Sequence, residues 1–278
     1  MVSSSLCLPQ TSLWLAYLYS LIAASSCFIL CISLRALNLT TSLVSRKLLH
    51  LITGPLFCCL FVIFPRSSVS APYLASTIPL ASAAMFGLIG YTQQQEQLQT
   101  QDSTSKGGYR NQDGLISLLV QTVSREGRVK ELTRGPFYYG IIHSIISCIY
   151  WTYSPIGLIS CCILCVGDGL ADLCGRAARS TRLHQPLPWN KQKTLVGSTT
   201  MFFSSLLFAY VFGLLYLQCG YWPTVSQSTY LQGVVYMSIV ATLVESLPIV
   251  EVDNLTVFVS GVLVGHWCFP SVAAESGK

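Results

Sequence analysis

Residues 13–34 read L-W-L-A-Y-L-Y-S-L-I-A-A-S-S-C-F-I-L-C-I-S-L, 22 residues without a formal charge. As an α-helix this stretch is about 33 Å long, enough to cross a hydrocarbon core of roughly 30 Å. A backbone immersed in lipid must satisfy its own hydrogen bonds, so such a run predicts a spanning helix. Seven more runs follow: Leu48–Phe64, Ala71–Tyr91, Phe137–Tyr153, Ser154–Val166, Leu195–Leu217, Leu231–Val250 and Asn254–Phe269. The predicted fold is all-α, a polytopic membrane helical bundle of about seven to eight spans. Ser154–Val166 is short, either a half-span or part of a helix that runs on through the polar segment after it. Gly114–Val123 is too short to cross and predicts an interfacial or re-entrant helix.

The composition agrees. Of 278 residues, 52% are hydrophobic and 10% charged, against about a quarter charged in soluble domains. The net charge of +5 does not point to nucleic acid, because the basic residues cluster between apolar runs. Nine of the twelve cysteines lie inside those runs, where they act as small hydrophobes. Cys162 and Cys165 form a C-x-x-C without a second pair or a nearby His, so no metal or redox role is expected of them. His143 and His266 read as satisfied bundle residues.

Charge placement predicts orientation. With the N-terminus outside, the segments 35–47, 92–134, 167–193 and 245–253 share the inner face. Only Arg66, Glu275 and Lys278 then fall elsewhere, as the positive-inside rule requires. Residues 1–34 read as a first span or a transit segment, 35–270 as one membrane-embedded domain and 271–278 as a tail. The polar stretch 92–113 lacks apolar periodicity and predicts a flexible loop.

Charged groups at span ends are functional candidates by default; the plain alternative is interfacial anchoring. In G-D-G-L-A-D-L-C-G-R (167–176), Asp168 and Asp172 share a helix face, with Arg176 one turn on. Paired carboxylates of this kind suit Mg²⁺ held together with phosphate oxygens. In W-N-K-Q-K-T-L-V-G-S (189–198), Lys191 and Lys193 are candidates to neutralise a polyphosphate. Asn190, Thr194 and Ser198 are candidate hydrogen-bond donors to it, at a helix N-terminus that favours anions. In R-K-L-L-H (46–50), Arg46 and His50 form an i,i+4 pair, and His50 is a candidate proton relay or phosphate ligand. Glu245 interrupts an otherwise apolar run and needs a partner or a cation. No P-loop motif occurs.

These clusters, in order, resemble the phytol kinases, with farnesol kinase and the larger dolichol kinases as relatives. The resemblance rests on R-K-L-L-H (46–50), S-R-E-G-R-V-K-E-L-T-R-G-P-F-Y-Y (124–139), G-D-G-L-A-D-L-C-G-R (167–176), N-K-Q-K-T-L-V-G-S (190–198), E-S-L-P (245–248) and D-N-L-T (253–256). It departs at Thr181–Trp189, longer than the family's usual link before N-K. The resemblance implies a chloroplast membrane enzyme, with the ER or another membrane as alternative, that moves the γ-phosphate of CTP or another nucleoside triphosphate to a prenyl alcohol. It also implies the setting of phytol salvage for tocopherol synthesis. On this reading Asp168 and Asp172 hold Mg²⁺. Arg46, Lys47, Arg176, Asn190, Lys191, Lys193 and Ser198 bind the nucleotide, and His50 or Glu245 takes the alcohol proton. The alternatives are a phosphatidate cytidylyltransferase-like enzyme and a membrane transporter.

Overall fold

The structure, a computed structural model, describes residues 9–102, 114–249 and 253–270. The chain runs α1 (Leu13–Ala36), α2 (Ser42–Phe61), α3 (Ala71–Asp102), α4 (Gly114–Val123), α5 (Gly135–Ile145), α6 (Pro155–Cys162), α7 (Asp168–Arg179), α8 (Leu195–Gln218), α9 (Gln227–Ser246) and α10 (Asp253–Cys268). The helices begin where a hydroxyl can satisfy an orphan backbone N–H. Ser12, Thr41, Ser154, Thr194 and Ser226 each accept a bond from the first turn of α1, α2, α6, α8 and α9.

Five helices are long and apolar enough to cross a membrane: Leu13–Ala36, Ser42–Phe61, Ala71–Gln95, Pro155–Arg179 and Leu195–Gln218. The fourth joins α6 to α7 through a π-helical turn, Ile163–Gly167. The short span expected at Ser154–Val166 is therefore the first half of a rod that carries the Gly-Asp motif at its far end. This rod is the centre of the bundle: 78% of its apolar window is buried, against 22–33% in the other four. Those four turn large apolar side chains outward, among them Ile22, Ile29, Leu88, Phe203 and Leu207. For lipid as solvent this is the expected arrangement.

Two further differences from expectation have local causes. The polar segment expected as a loop from 92 continues α3 as helix through Asp102, because glutamine, glutamate and leucine are good helix formers even without an apolar stripe. Residues 103–113 lie outside the described residues, as do 1–8 and the tail 271–278. The run expected to span to Val250 ends as helix at Ser246; Pro248 lacks the N–H to continue it. Gly114–Val123 forms the short helix α4.

Close approaches set the site. Gly54 of α2 faces Cys165, where a Cβ would lie 2.1 Å from the Cys165 Cβ, so only glycine lets α2 approach the rod this closely. Gly175 and Gly197 also face each other across α7 and α8, less tightly: an added Cβ on Gly197 would lie 3.1 Å from the Ala171 carbonyl oxygen and 3.6 Å from the Gly175 Cα. The four charge-bearing segments meet at one end of the bundle. Arg35 donates to Gln121 Oε1 at 2.7 Å, Lys47 pairs with Asp168, and Lys193 pairs with Glu245.

Candidate active site

Lys47, on the second turn of α2, is almost fully buried. Its Nζ donates to Asp168 Oδ2 at 2.6 Å and lies 3.8 Å from Asp172 Oδ2. The two aspartates face the same way from α7, as their spacing requires. Arg176, one turn on, donates through Nε to Asp172 Oδ1 at 2.8 Å. Asp172 Oδ2 is buried and has no hydrogen-bond partner, and neither has the hydroxyl of Ser198 at the start of α8.

The link before α8 brings in the second ion pair. Its strands touch at an isolated bridge between Pro186 and Thr194. Leu187 N donates to Lys193 O at 3.0 Å and Leu195 N to Gln185 O at 2.8 Å. The Asn190 side chain donates to the carbonyls of Ser246 (3.2 Å) and Leu247 (3.1 Å), and Trp189 Nε1 to Ser246 Oγ at 3.1 Å. Trp189 and Asn190 thus tie this link to the end of α9, and Lys193 is held against the buried Glu245. Burial opposes the Lys193 charge, but the Glu245 carboxylate outweighs it and raises the ammonium's pKa.

Lys47, Asp168, Asp172, Arg176, Lys193, Ser198 and Glu245 line one polar cleft enclosing about 450 Å³, part of it open to solvent. Arg125, Arg179 and Asp253 line it too. Arg179 is a residue that motif reading passes over, although it lies one helical turn from Arg176. Three expected nucleotide ligands do not line it: Arg46, which lines a second cavity, and two from the link before α8. Asn190 spends its amide on the α9 tie, and Lys191 is exposed and outside the cleft lining. The cleft holds five cationic side chains against four carboxylates, a balance suited to an anion that brings its own cation. The Asp172 Oδ2 oxygen, without a hydrogen bond beside Asp168, fits a hard divalent ion that shares its shell with phosphate oxygens.

Arg46 and His50 turn the other way. They line a second, apolar cavity of about 720 Å³, open on one side, with Phe28, Leu49, Phe57, Ile78, Phe86 and Tyr139. His50 is buried, its ring edge-on to Tyr139 at 4.0 Å between centroids. Its Nδ1 and the Arg46 Nε are buried without hydrogen-bond partners. Because residues 46 and 50 share a helix face that residue 47 does not, one turn of α2 separates an apolar groove from a polar cleft.

His143 is a satisfied bundle residue, as expected, its Nδ1 2.8 Å from the Tyr139 carbonyl, but it also faces two thiols. Its Nε2 lies 3.3 Å from Cys165 Sγ and 3.8 Å from Cys161 Sγ. The expectation of no nearby His for Cys165 fails because the histidine comes from another helix, and the facing thiols are Cys161 and Cys165 at i,i+4 rather than the C-x-x-C pair. His266 is bonded to the Tyr150 hydroxyl at 3.1 Å.

Comparison with known proteins returns plant sequences. The chain is 34% identical over 239 residues to phytol kinase 1, chloroplastic, of Arabidopsis thaliana, covering 85% of this chain and 70% of that protein. It is 34% identical over 234 residues to a probable phytol kinase 1, chloroplastic, of Glycine max, covering 84% and 69%. To a probable chloroplastic phytol kinase of Triticum aestivum it is 33% identical over 232 residues, covering 83% and 69%. No family model matches the chain, and no solved structure matches it.

Proposed function

This chain belongs to the phytol kinase family, and from that premise we propose that it moves the terminal phosphate of CTP to phytol, giving phytyl phosphate. It is a membrane kinase of a prenyl alcohol. The relatives are named chloroplastic, and with its apolar helices the chain is a chloroplast membrane protein. The observation that carries the site assignment is the meeting of an apolar groove and a polyphosphate-sized polar cleft across one turn of α2.

Phosphoryl transfer needs positioning and charge neutralisation more than covalent help from protein. Lys47, Arg176 and Lys193 are the cations disposed around the aspartates, with Arg125 and Arg179 at the cleft wall. They would oppose the charge that builds on the transferred group. Asp168 and Asp172 would hold Mg²⁺, which when bound neutralises the nucleotide's phosphates. The alcohol lies with its isoprenoid chain in the groove and its hydroxyl towards Arg46 and His50. His50 is the better base of the two candidates: it borders the groove with an unpaired ring nitrogen, whereas Glu245 is engaged by Lys193. The proton leaves the hydroxyl for the imidazole as the oxygen attacks phosphorus and the nucleoside diphosphate departs.

Membranes bearing the protein, given phytol and CTP labelled at either the α or the γ phosphate, should place only the γ label on the lipid product. Label from the α position would identify a cytidylyltransferase and end the kinase assignment. The same assay with farnesol, geranylgeraniol and the other nucleoside triphosphates ranks acceptor and donor.

A further inference from the structure

The buried contact between His143, Cys161 and Cys165 has no part in phosphoryl transfer as argued above, and its geometry has a separate explanation. The ligand atoms lie within 4.8 Å of one another and all three residues are buried. Cys161 Sγ and Cys165 Sγ are 3.8 Å apart, and His143 Nε2 is 3.8 Å from the first and 3.3 Å from the second. A tetrahedral ion with bonds of about 2.3 Å to sulfur and 2.0–2.1 Å to nitrogen sets the sulfurs about 3.8 Å apart and the nitrogen about 3.5 Å from each. The three atoms therefore already occupy three corners of such a site.

The histidine is also prepared for the role. Its Nδ1 lies 2.8 Å from the Tyr139 carbonyl, one turn back on α5. A carbonyl can only accept, so Nδ1 carries the proton and the Nε2 lone pair faces the sulfurs. Metal-bound histidines are fixed through their second nitrogen in this manner. The Tyr139 hydroxyl, 2.8 Å from Cys165 Sγ, stands ready as a bond to the thiolate or, with a water molecule, as the source of the fourth ligand. His143 and Tyr139 both line the apolar groove, which gives a path of entry.

We infer that His143, Cys161 and Cys165 form a structural Zn²⁺ site, independent of the kinase reading. Two thiols lose their protons and the neutral imidazole keeps its own, so Zn²⁺ enters and two H⁺ leave. The resulting centre has no net charge, which favours Zn²⁺ over Cu⁺ in an apolar interior where an uncompensated charge is costly. The ion would pin α5, the groove wall, to the central rod just ahead of Asp168.

The full chain, purified in detergent under reducing conditions without chelator, should contain one zinc ion per chain by elemental analysis. Cys161→Ser combined with Cys165→Ser should lose it, while Asp168→Asn should keep it despite its lost transfer activity. Should the double variant fail to accumulate, exchange of Co²⁺ into the wild-type chain reads the same ligands. Sulfur-to-cobalt charge-transfer bands and the intense visible bands of a tetrahedral ion are expected. A chain with copper in place of zinc, one that takes up neither zinc nor cobalt, a weak octahedral cobalt spectrum, or zinc retained by the double variant would each overturn the assignment.

Discussion

The polar cleft and the apolar groove are neighbours built on opposite rules. The cleft is crowded with charge, and its central charges are cross-paired: Lys47 with Asp168, Arg176 with Asp172, Lys193 with Glu245. The groove is walled by Phe28, Phe57, Phe86 and Ile78, and among its polar lining groups Arg46 and His50 keep unpaired nitrogens. A paired ion cluster resists rearrangement unless something of equal charge replaces its partners. An unpaired buried donor or acceptor gains whenever a hydroxyl arrives. The cleft is thus arranged to exchange ions for ions, and the groove to receive a single polar group at the end of a hydrocarbon chain.

Five substitutions test this division, in falling order of effect save that the last two form a matched pair. Asp168→Asn should lower transfer by about 10³-fold, in the range lost when a charge-stabilising group is removed. The variant should still insert in the membrane and still be labelled by a photoreactive prenyl alcohol, measured by crosslinking; retained turnover would remove Asp168 from the cation site. His50→Gln should cost about 10²-fold in kcat, as general bases do, with KM for the nucleotide unmoved. A shift in that KM instead would assign His50 to the cleft and erase the boundary. Ser82→Phe, pointing bulk from α3 into the groove, should raise KM for the alcohol about 10-fold, an effect expected of a volume change in an apolar pocket. Its nucleotide KM should stay constant. Lys191→Ala should change the rate by less than about twofold, since an exposed charge outside the site contributes little. Lys193→Ala should cost clearly more, because it leaves the buried Glu245 without its partner, and equal effects at 191 and 193 would mean that the cleft is drawn wrongly.

Much of the bundle was legible because lipid imposes one rule on every helix. Uncharged runs mark spans, and the charges they exclude collect at one end, where Lys47, Asp168, Lys193 and Glu245 line one cleft. The i,i+4 spacing of Asp168 and Asp172 was readable for the same local reason. What sequence could not supply was pairing at a distance. Lys47 and Asp168 are 121 residues apart, and no spacing rule links them. Of two lysines separated by one residue, only Lys193 enters the cleft, a choice made by the bridge at Pro186 and Thr194 and the Asn190 tie. Likewise, Cys162 and Cys165 carried the familiar motif, but helical geometry turns Cys161, not Cys162, towards His143. The continuation of α3 through Asp102 leaves no apolar periodicity to read, because residues 92–102 are helical by propensity alone.

Arg46 opens on the groove and Lys47 on the cleft, so under the proposed assignment the two substrates would arrive from different phases. The alcohol is counted as a mole fraction among lipids, the nucleotide as a molarity in water. Diluting the membrane with inert lipid or detergent at fixed total alcohol should therefore starve the enzyme of acceptor while leaving saturation by nucleotide untouched. Once phosphorylated, the lipid carries a headgroup that the hydrocarbon wall cannot solvate, so turnover itself pushes the product out towards the aqueous rim.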